Sequence, residues 1–391
     1  MTRKLLPLLL LALSAPAWGA YTYRAPVLVK NYNGGSGGMV SGSSDLANFT
    51  VLLKLTDNAF KVGGHFINTV SWPIASGNIV PADFAVDTSS SCNGSLGVSR
   101  PYFDIDTWNQ TTGELDVWVL ENPLTHAADL NLFACSGDAS KTTYQGGSVG
   151  QAWVGYTAVI HGGDGTTVQV YDSSGTGNGC TLPGTTHNPT AIAGVIGGGM
   201  AFAFASSQYA TSCGTQGSWG ITGASATFTL QAIVNPTGAN YYGPIVGAIG
   251  GSYGAELEMI CSGGNCWCDF SAPGVANYGG SASTAAAVTH IIAITYSSGN
   301  VYGYLDGVPG TLITGASNPF TSSGTIGLGA DLIGDHYDGW SDEIHGSGSV
   351  RSSDWLMTEA RNQLHNSTYV TMGAQVLIAP ANAIAITPIL L

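Results

Sequence analysis

Positive charge is what this chain has least of. Ten Lys and Arg stand against 24 Asp and Glu in 391 residues, a formal net charge of −14, and charged residues of every kind make up only 9% of the chain. Two of the ten, Arg3 and Lys4, lie at the N-terminus, and none occurs between Lys141 and Arg351. A polyphosphate partner must be neutralised by Lys and Arg, so nucleic-acid binding is excluded. Helix formers with long side chains are also scarce. The 56 glycines, with abundant Ser, Thr, Ala and Asn, favour strands and turns and argue for an all-β chain. Glycine has no three-residue period, which excludes collagen. A hydrophobic share of 44% with nine Trp suffices for packed cores, which argues against disorder. No apolar run can span a bilayer as a helix: Leu5–Leu13 is too short, and Ala374–Leu391 is broken by prolines. No membrane span is expected.

What is present points outside the cell. Residues 1–19 read as a secretory signal peptide, with Thr2-Arg3-Lys4 as the positive region, Leu5–Leu13 as the apolar core and small residues around Ala15–Gly19. The expected location is secreted or at the cell surface, where disulfides persist. Of seven cysteines, the order suggests Cys92–Cys135 and Cys180–Cys213. Cys261 and Cys266 flank Ser262–Asn265 and would face each other across a hairpin. Cys268 is then left over, or takes the place of Cys266; zinc at Cys266-Trp267-Cys268 is the rival reading.

The clearest local pattern is His290–Gly310. Two alternating runs, His290–Tyr296 and Val301–Leu305, are separated by Ser297–Asn300, and the second ends on Asp306-Gly307, a strong hairpin signal. Three antiparallel strands are expected there, burying one face against another sheet in a β-sandwich. Further strands are expected over Tyr21–Tyr32, Leu46–Leu55, Val117–Leu120 and Leu130–Cys135, and a helix over Arg351–Asn362.

The second half resembles the concanavalin-like or laminin-G-like jelly roll of secreted bacterial proteins. The likeness rests, in order, on Tyr171–Gly179, Phe204–Ala210, Phe228–Pro236, the His290–Gly310 meander, Thr325–Gly329 and Tyr337–Ile344. The first half resembles a bacterial β-rich domain of unknown function that commonly precedes such jelly rolls, through Asn48–Leu55, Asp106–Asn109 with Val117–Val119, and Leu130–Ala139. The resemblance implies two β-sandwich domains, the second a concanavalin-like jelly roll: residues 20–146 and 151–373, followed by an apolar tail at 374–391.

The resemblance also implies calcium in a structural role. Its ligands would be Asp172 and Asp342 by side chain, with Gly175 and Asn178 adding oxygens from the loop behind Asp172, the hard donors calcium takes. For a ligand surface the candidates are Tyr241, Tyr242, Trp267, Asp335 and Tyr337, rings that stack on sugars beside a hydrogen-bonding acid. Glycosidases of the jelly-roll class carry three carboxylates on one strand. Glu256 and Glu258 share a face here, but Ile260 or Cys261 stands where the third belongs, so no catalytic residue is assigned and no enzyme is expected. His65, His126, His161, His187, His290, His345 and His365 show no metal spacing. The expected function is therefore non-catalytic binding of glycan or another cell-surface ligand, in adhesion or polysaccharide capture. The alternative is a subunit of an extracellular fibre that self-associates by strand addition through Tyr21–Lys30 and Ile384–Leu391.

Overall fold

In the computed structural model the described residues are 21–378, apart from 33–36, 73–78, 185, 222–225, 239–240, 251–253, 273–274, 280–282, 317–322 and 332–333. The leader and Ile384–Leu391 lie outside the described residues.

The chain is overwhelmingly β, in several sheets. The His290–Gly310 stretch forms three antiparallel strands, His290–Ser297, Asn300–Leu305 and Val308–Pro309, at one end of an eight-stranded sheet. Both turns have two residues, Ser298-Gly299 and Asp306-Gly307, and all four have positive φ, the geometry that follows strand twist. Asp306 accepts the Ile291 N–H at 2.9 Å and pairs with His290 Nδ1 at 2.7 Å. A Cβ on Gly307 would lie 2.3 Å from the Cα of Met357, so this turn needs glycine for space as well as for φ.

The same sheet continues through Thr227–Pro236 to a closing strand, Gly339–Ser347, and then to Gly198–Phe202 and Thr190–Ala193. A six-stranded sheet packs against it, containing in order Val275–Gly279, Asn265–Ala272, Glu256–Ser262, Tyr241–Gly250 and Thr325–Leu328. Alternate residues of each strand meet in the core: Leu230, Val234, Ile292 and Ile294 from one sheet, Leu257, Met259, Phe270 and Ile326 from the other. Each such side chain stabilises the fold by about 1.5–3 kcal/mol relative to exposure.

A second core is built mainly by the first half, with Ala293, Tyr304, Trp355, Leu356 and Val370 from later in the chain packed into it. A three-stranded sheet, Phe49–Thr56, Glu114–Glu121 and Phe103–Asn109, buries Val51, Leu53, Ile105 and Val117 against Ala25, Val27, Leu132 and Ala134 of a second sheet. In that second sheet Tyr23–Val29 is interior: Leu130–Ser136 pairs with one edge, and Val370–Met372 and Val376–Leu377 pair with the other. The C-terminal strands thus close the sheet that the first strand opens. Before them runs the helix Ser353–Leu364, started by Ser352, whose hydroxyl accepts the Trp355 N–H at 3.1 Å. A further apolar cluster joins the halves, with Leu52 and Trp118 from one, Ile233 and Ile291 from the other, Trp153 and Tyr156 from the connecting stretch, and Ala360 from the helix.

Disulfides join Cys92 to Cys135, Cys180 to Cys213 and Cys261 to Cys266. Cys268 is buried outside these bonds, its thiol donating to the Ala293 carbonyl at 3.6 Å.

At the end of its strand Glu121 is half-buried, one carboxylate oxygen without a partner, and burial pushes its pKa up to about 7. Between the ordinary carboxylate range and about 7 the folded chain keeps a proton that the unfolded chain has released, so stability falls as pH rises through that window and levels off above it. Glu121→Gln is expected to raise stability at pH 8 by about 2 kcal/mol, allowing for solvent screening, and to leave it unchanged at pH 4. Urea titrations at the two pH values read this directly; equal gains at both would refute it.

Candidate functional site

The outward face of the six-stranded sheet gathers side chains by register. Tyr242 pairs with Ile260, and Ile260 with Trp267, so these three form a stripe across neighbouring strands on the face opposite the core. Tyr242 is 51% exposed and Trp267 half-buried, with Ile260 buried between them. The next stripe is Pro244, Glu258 and Asp269, paired in the same way, and Glu256 lies one step further along its strand. Acids therefore lie beside the rings on the same face of the sheet, but buried: Glu258 is 5% and Asp269 0% exposed.

A loop residue completes the acidic group. Asp331 brings a carboxylate oxygen to the oxygens of Glu256 and Glu258, all three within 4.8 Å of one another. Its other bonds pin the loop: Asp331 Oδ1 accepts from Gly334 and Asp335 N–H, both at 2.9 Å. Burial, then the hydrogen bond and charge of Glu258, hold the Glu256 carboxyl well above the usual range. Asp269 is pushed up to about 7, chiefly by burial, and its Oδ2 has no partner. The third carboxylate that the strand lacks at Ile260 and Cys261 thus arrives from another part of the chain. Asp269 had a legible signal, since counting back from the Cys261–Cys266 pair sets it opposite Glu258. Asp331 had none at its distance in sequence.

The other residues singled out from the sequence are placed as follows. Asp172 Oδ1 accepts from Val159 and Ser174 N–H at 3.0 and 2.9 Å, and Oδ2 from Thr176 Oγ1 and Asn178 N–H at 2.9 and 2.8 Å. These bonds make Asp172 the residue that orders the loop. Gly175 sits in that loop at positive φ, and the Asn178 amide bonds the Thr157 and Ser218 carbonyls. Asp342 Oδ2 accepts from Val195 and Ile196 N–H, both at 3.0 Å. Neither Asp172 nor Asp342 belongs to a group of three or more converging His, Cys, Asp or Glu side chains among the described residues. Tyr337 is fully buried in the core, its hydroxyl bonded to the Trp340 carbonyl, and Asp335 is half-buried beside Asp331. Tyr241 begins its strand, and its side chain lies outside the described residues.

A second group lies deep between the halves: Asp106, His161 and Glu343, again with ligand atoms within 4.8 Å. His161 Nδ1 is 2.9 Å from both oxygens of Glu343, and His345 Nε2 is 3.0 Å from one of them. Burial opposes protonation of His161, but the charges of Glu343 and Asp106 outweigh it and hold its pKa well above the usual value. Two clusters of side chains could therefore coordinate a metal ion, one all-oxygen and buried on the six-stranded sheet, the other with imidazole between the halves. Neither set was assembled from the sequence.

No family model matches the chain, and no curated protein matches it. Among solved structures, domain 4 of AbnA, an extracellular arabinanase from Geobacillus stearothermophilus, solved with arabinotriose, is similar at 18% identity and TM-score 0.42, over 52% of this chain and 98% of that one. A pentraxin from Limulus polyphemus is similar at 11% identity and TM-score 0.32, over 39% of this chain and 82% of that one. The binding domain of botulinum neurotoxin serotype G gives 15% and 0.39, with 52% of this chain over 50% of that domain. At these scores they stand as likenesses only. Among the described residues no helix is long and apolar enough to cross a membrane.

Proposed function

We propose that this chain is a secreted, non-catalytic binding protein that takes a glycan or another cell-surface ligand on the outward face of its six-stranded sheet. The observation that carries this reading is the ring stripe of Tyr242 and Trp267, which reaches solvent across neighbouring strands of that face. Ring faces stack against the apolar faces of a pyranose. The all-oxygen set of Glu256, Glu258 and Asp331 suits calcium by donor type, and an ion there would relieve the repulsion of the buried acids. In this reading residues 151–373 are the concanavalin-like unit that presents the ligand face, 20–146 support it, and the disulfides fit export. Strand addition is less favoured, because both edges of the Tyr23–Val29 strand are already paired within the chain.

A glycan array read with and without EDTA tests the proposal, with Trp267→Ala and Tyr242→Ala alongside. Binding of at least one glycan is expected, weakened about tenfold by loss of the Trp267 ring and reduced by EDTA. Equal binding by the Trp267 variant, or no binding by the parent chain, would overturn it. Hydrolysis of a bound glycan that disappears in Glu256→Gln would instead make the carboxylates catalytic.

A further inference from the structure

The Asp106–His161–Glu343 group is built by two irregularities, one from each half. In the pairing of Phe103–Asn109 with Glu114–Glu121 the register shifts between Ile105 and Thr107, so Asp106 is the extra residue of a β-bulge. In the closing strand the register shifts where Gln231 faces His345 and Ile233 faces Asp342, and Glu343 in that gap has φ 47°. A bulge re-aims one side chain, and a non-glycine residue at positive φ costs on the order of 1–3 kcal/mol. Both devices turn a carboxylate into the same closed space, where His161 stands at the end of Ala158–Ile160.

That space leaves buried polar atoms without hydrogen bonds. Asp106 is 1% exposed, and neither of its oxygens has a hydrogen-bond partner; the nearest imidazole nitrogen, His161 Nδ1, is 4.0 Å away. His161 Nε2 also lacks a partner, with Asp104 Oδ2 at 3.9 Å. His161 Nδ1 lies 2.9 Å from both oxygens of Glu343, so the imidazole nitrogen and this carboxylate converge while Asp106 stays unpaired beside them. A buried carboxylate left like this costs several kcal/mol unless it is neutralised. One imidazole nitrogen with two carboxylates is a donor set for zinc or a similar transition metal, whereas calcium and magnesium take oxygen ligands.

We propose that Asp106, His161 and Glu343 bind one divalent transition-metal ion of the zinc type, which fastens the two halves of the chain together. The ion is structural, and the proposal stands independently of the ligand face described above.

Metal content of the full-length, disulfide-bonded protein, refolded with excess zinc and desalted, tests this by mass spectrometry. About one zinc per chain is expected in the parent and in Glu256→Gln, and none in the isosteric Asp106→Asn. Refolding the parent with a chelator is expected to lower Tm by about 5 °C or more and to leave Asp106→Asn unmoved. Cobalt in place of zinc gives a second readout, visible ligand-field bands in the parent that are lost in Asp106→Asn and in His161→Gln. Less than about a tenth of an equivalent of zinc or cobalt in the parent would overturn the proposal. So would zinc that stays in Asp106→Asn but leaves in Glu256→Gln, or a Tm raised by Asp106→Asn, the sign of a carboxyl that merely holds a proton.

Discussion

Trp153→Ala is expected to destabilise the protein by about 3–5 kcal/mol, the range for emptying an aromatic site in a core that cannot collapse. Trp153 is 2% exposed and stands where the halves meet. Its ring lies 5.1 Å from that of Trp118 in the first half, 5.4 Å from His345 in the second and 5.4 Å from Tyr156, edge to face. Its indole N–H donates to Asp104 Oδ2 at 2.9 Å, so truncation also leaves a buried carboxylate one donor short. Urea unfolding followed by fluorescence and far-UV circular dichroism measures the loss. Because the ring ties both halves, the two probes should also separate into distinct transitions in the variant. Trp153→Phe keeps most of the burial without the hydrogen bond and should fall between. A loss below about 1 kcal/mol would mean that the halves do not depend on this contact.

Asn362→Leu should cost about 3 kcal/mol for a different reason. The strand Phe49–Thr56 lies at the edge of its sheet, with one row of backbone groups facing the C-terminal helix. Asn362 imitates a neighbouring strand: its Oδ1 accepts the Leu52 N–H at 2.7 Å and its Nδ2 donates to the Leu52 carbonyl at 3.0 Å. Asn366 adds a bond to the same carbonyl at 2.8 Å and accepts the Lys54 N–H at 3.3 Å. Leucine is close in volume and a better helix former, so only the loss of these bonds, chiefly the stranded Leu52 N–H, can account for a large penalty. Asn366→Leu should cost less, because its longest bond is weak and Asn362 still serves the Leu52 carbonyl. Chemical denaturation of the two variants and their double mutant tests the order and the coupling. Equal effects, or a stable Asn362→Leu, would show that the helix holds the strand by apolar packing alone.

Strands and turns were legible wherever pattern and chemistry are local. Asp306-Gly307 and Ser298-Gly299 specify two-residue turns through their tolerance of positive φ, and the alternation on either side specifies which residues enter the core. In the ring stripe, Trp267 falls opposite Ile260 once the Cys261–Cys266 hairpin is aligned, whereas Tyr242 reaches Ile260 only through a separate pairing whose register shifts between Pro244 and Val246. The same reasoning fails at Asp106 and Glu343. A bulge shifts alternation by one residue and reverses every inference about faces beyond it, and nothing in a sequence read by period announces the shift.

By itself, then, the sequence determined a cation-poor, all-β chain, two of its three bridges with the choice between Cys266 and Cys268 left open for the third, the meander at His290–Gly310 and a helix near its end. Those follow from composition and from interactions between residues a few positions apart. Only the tertiary structure decided that the last strands pair with the first, that Asp331 joins Glu256 and Glu258, and that Asp106, His161 and Glu343 converge between the halves. Each of these brings together residues tens to hundreds of positions apart, where the partner is set by how whole sheets pack and no local preference records it.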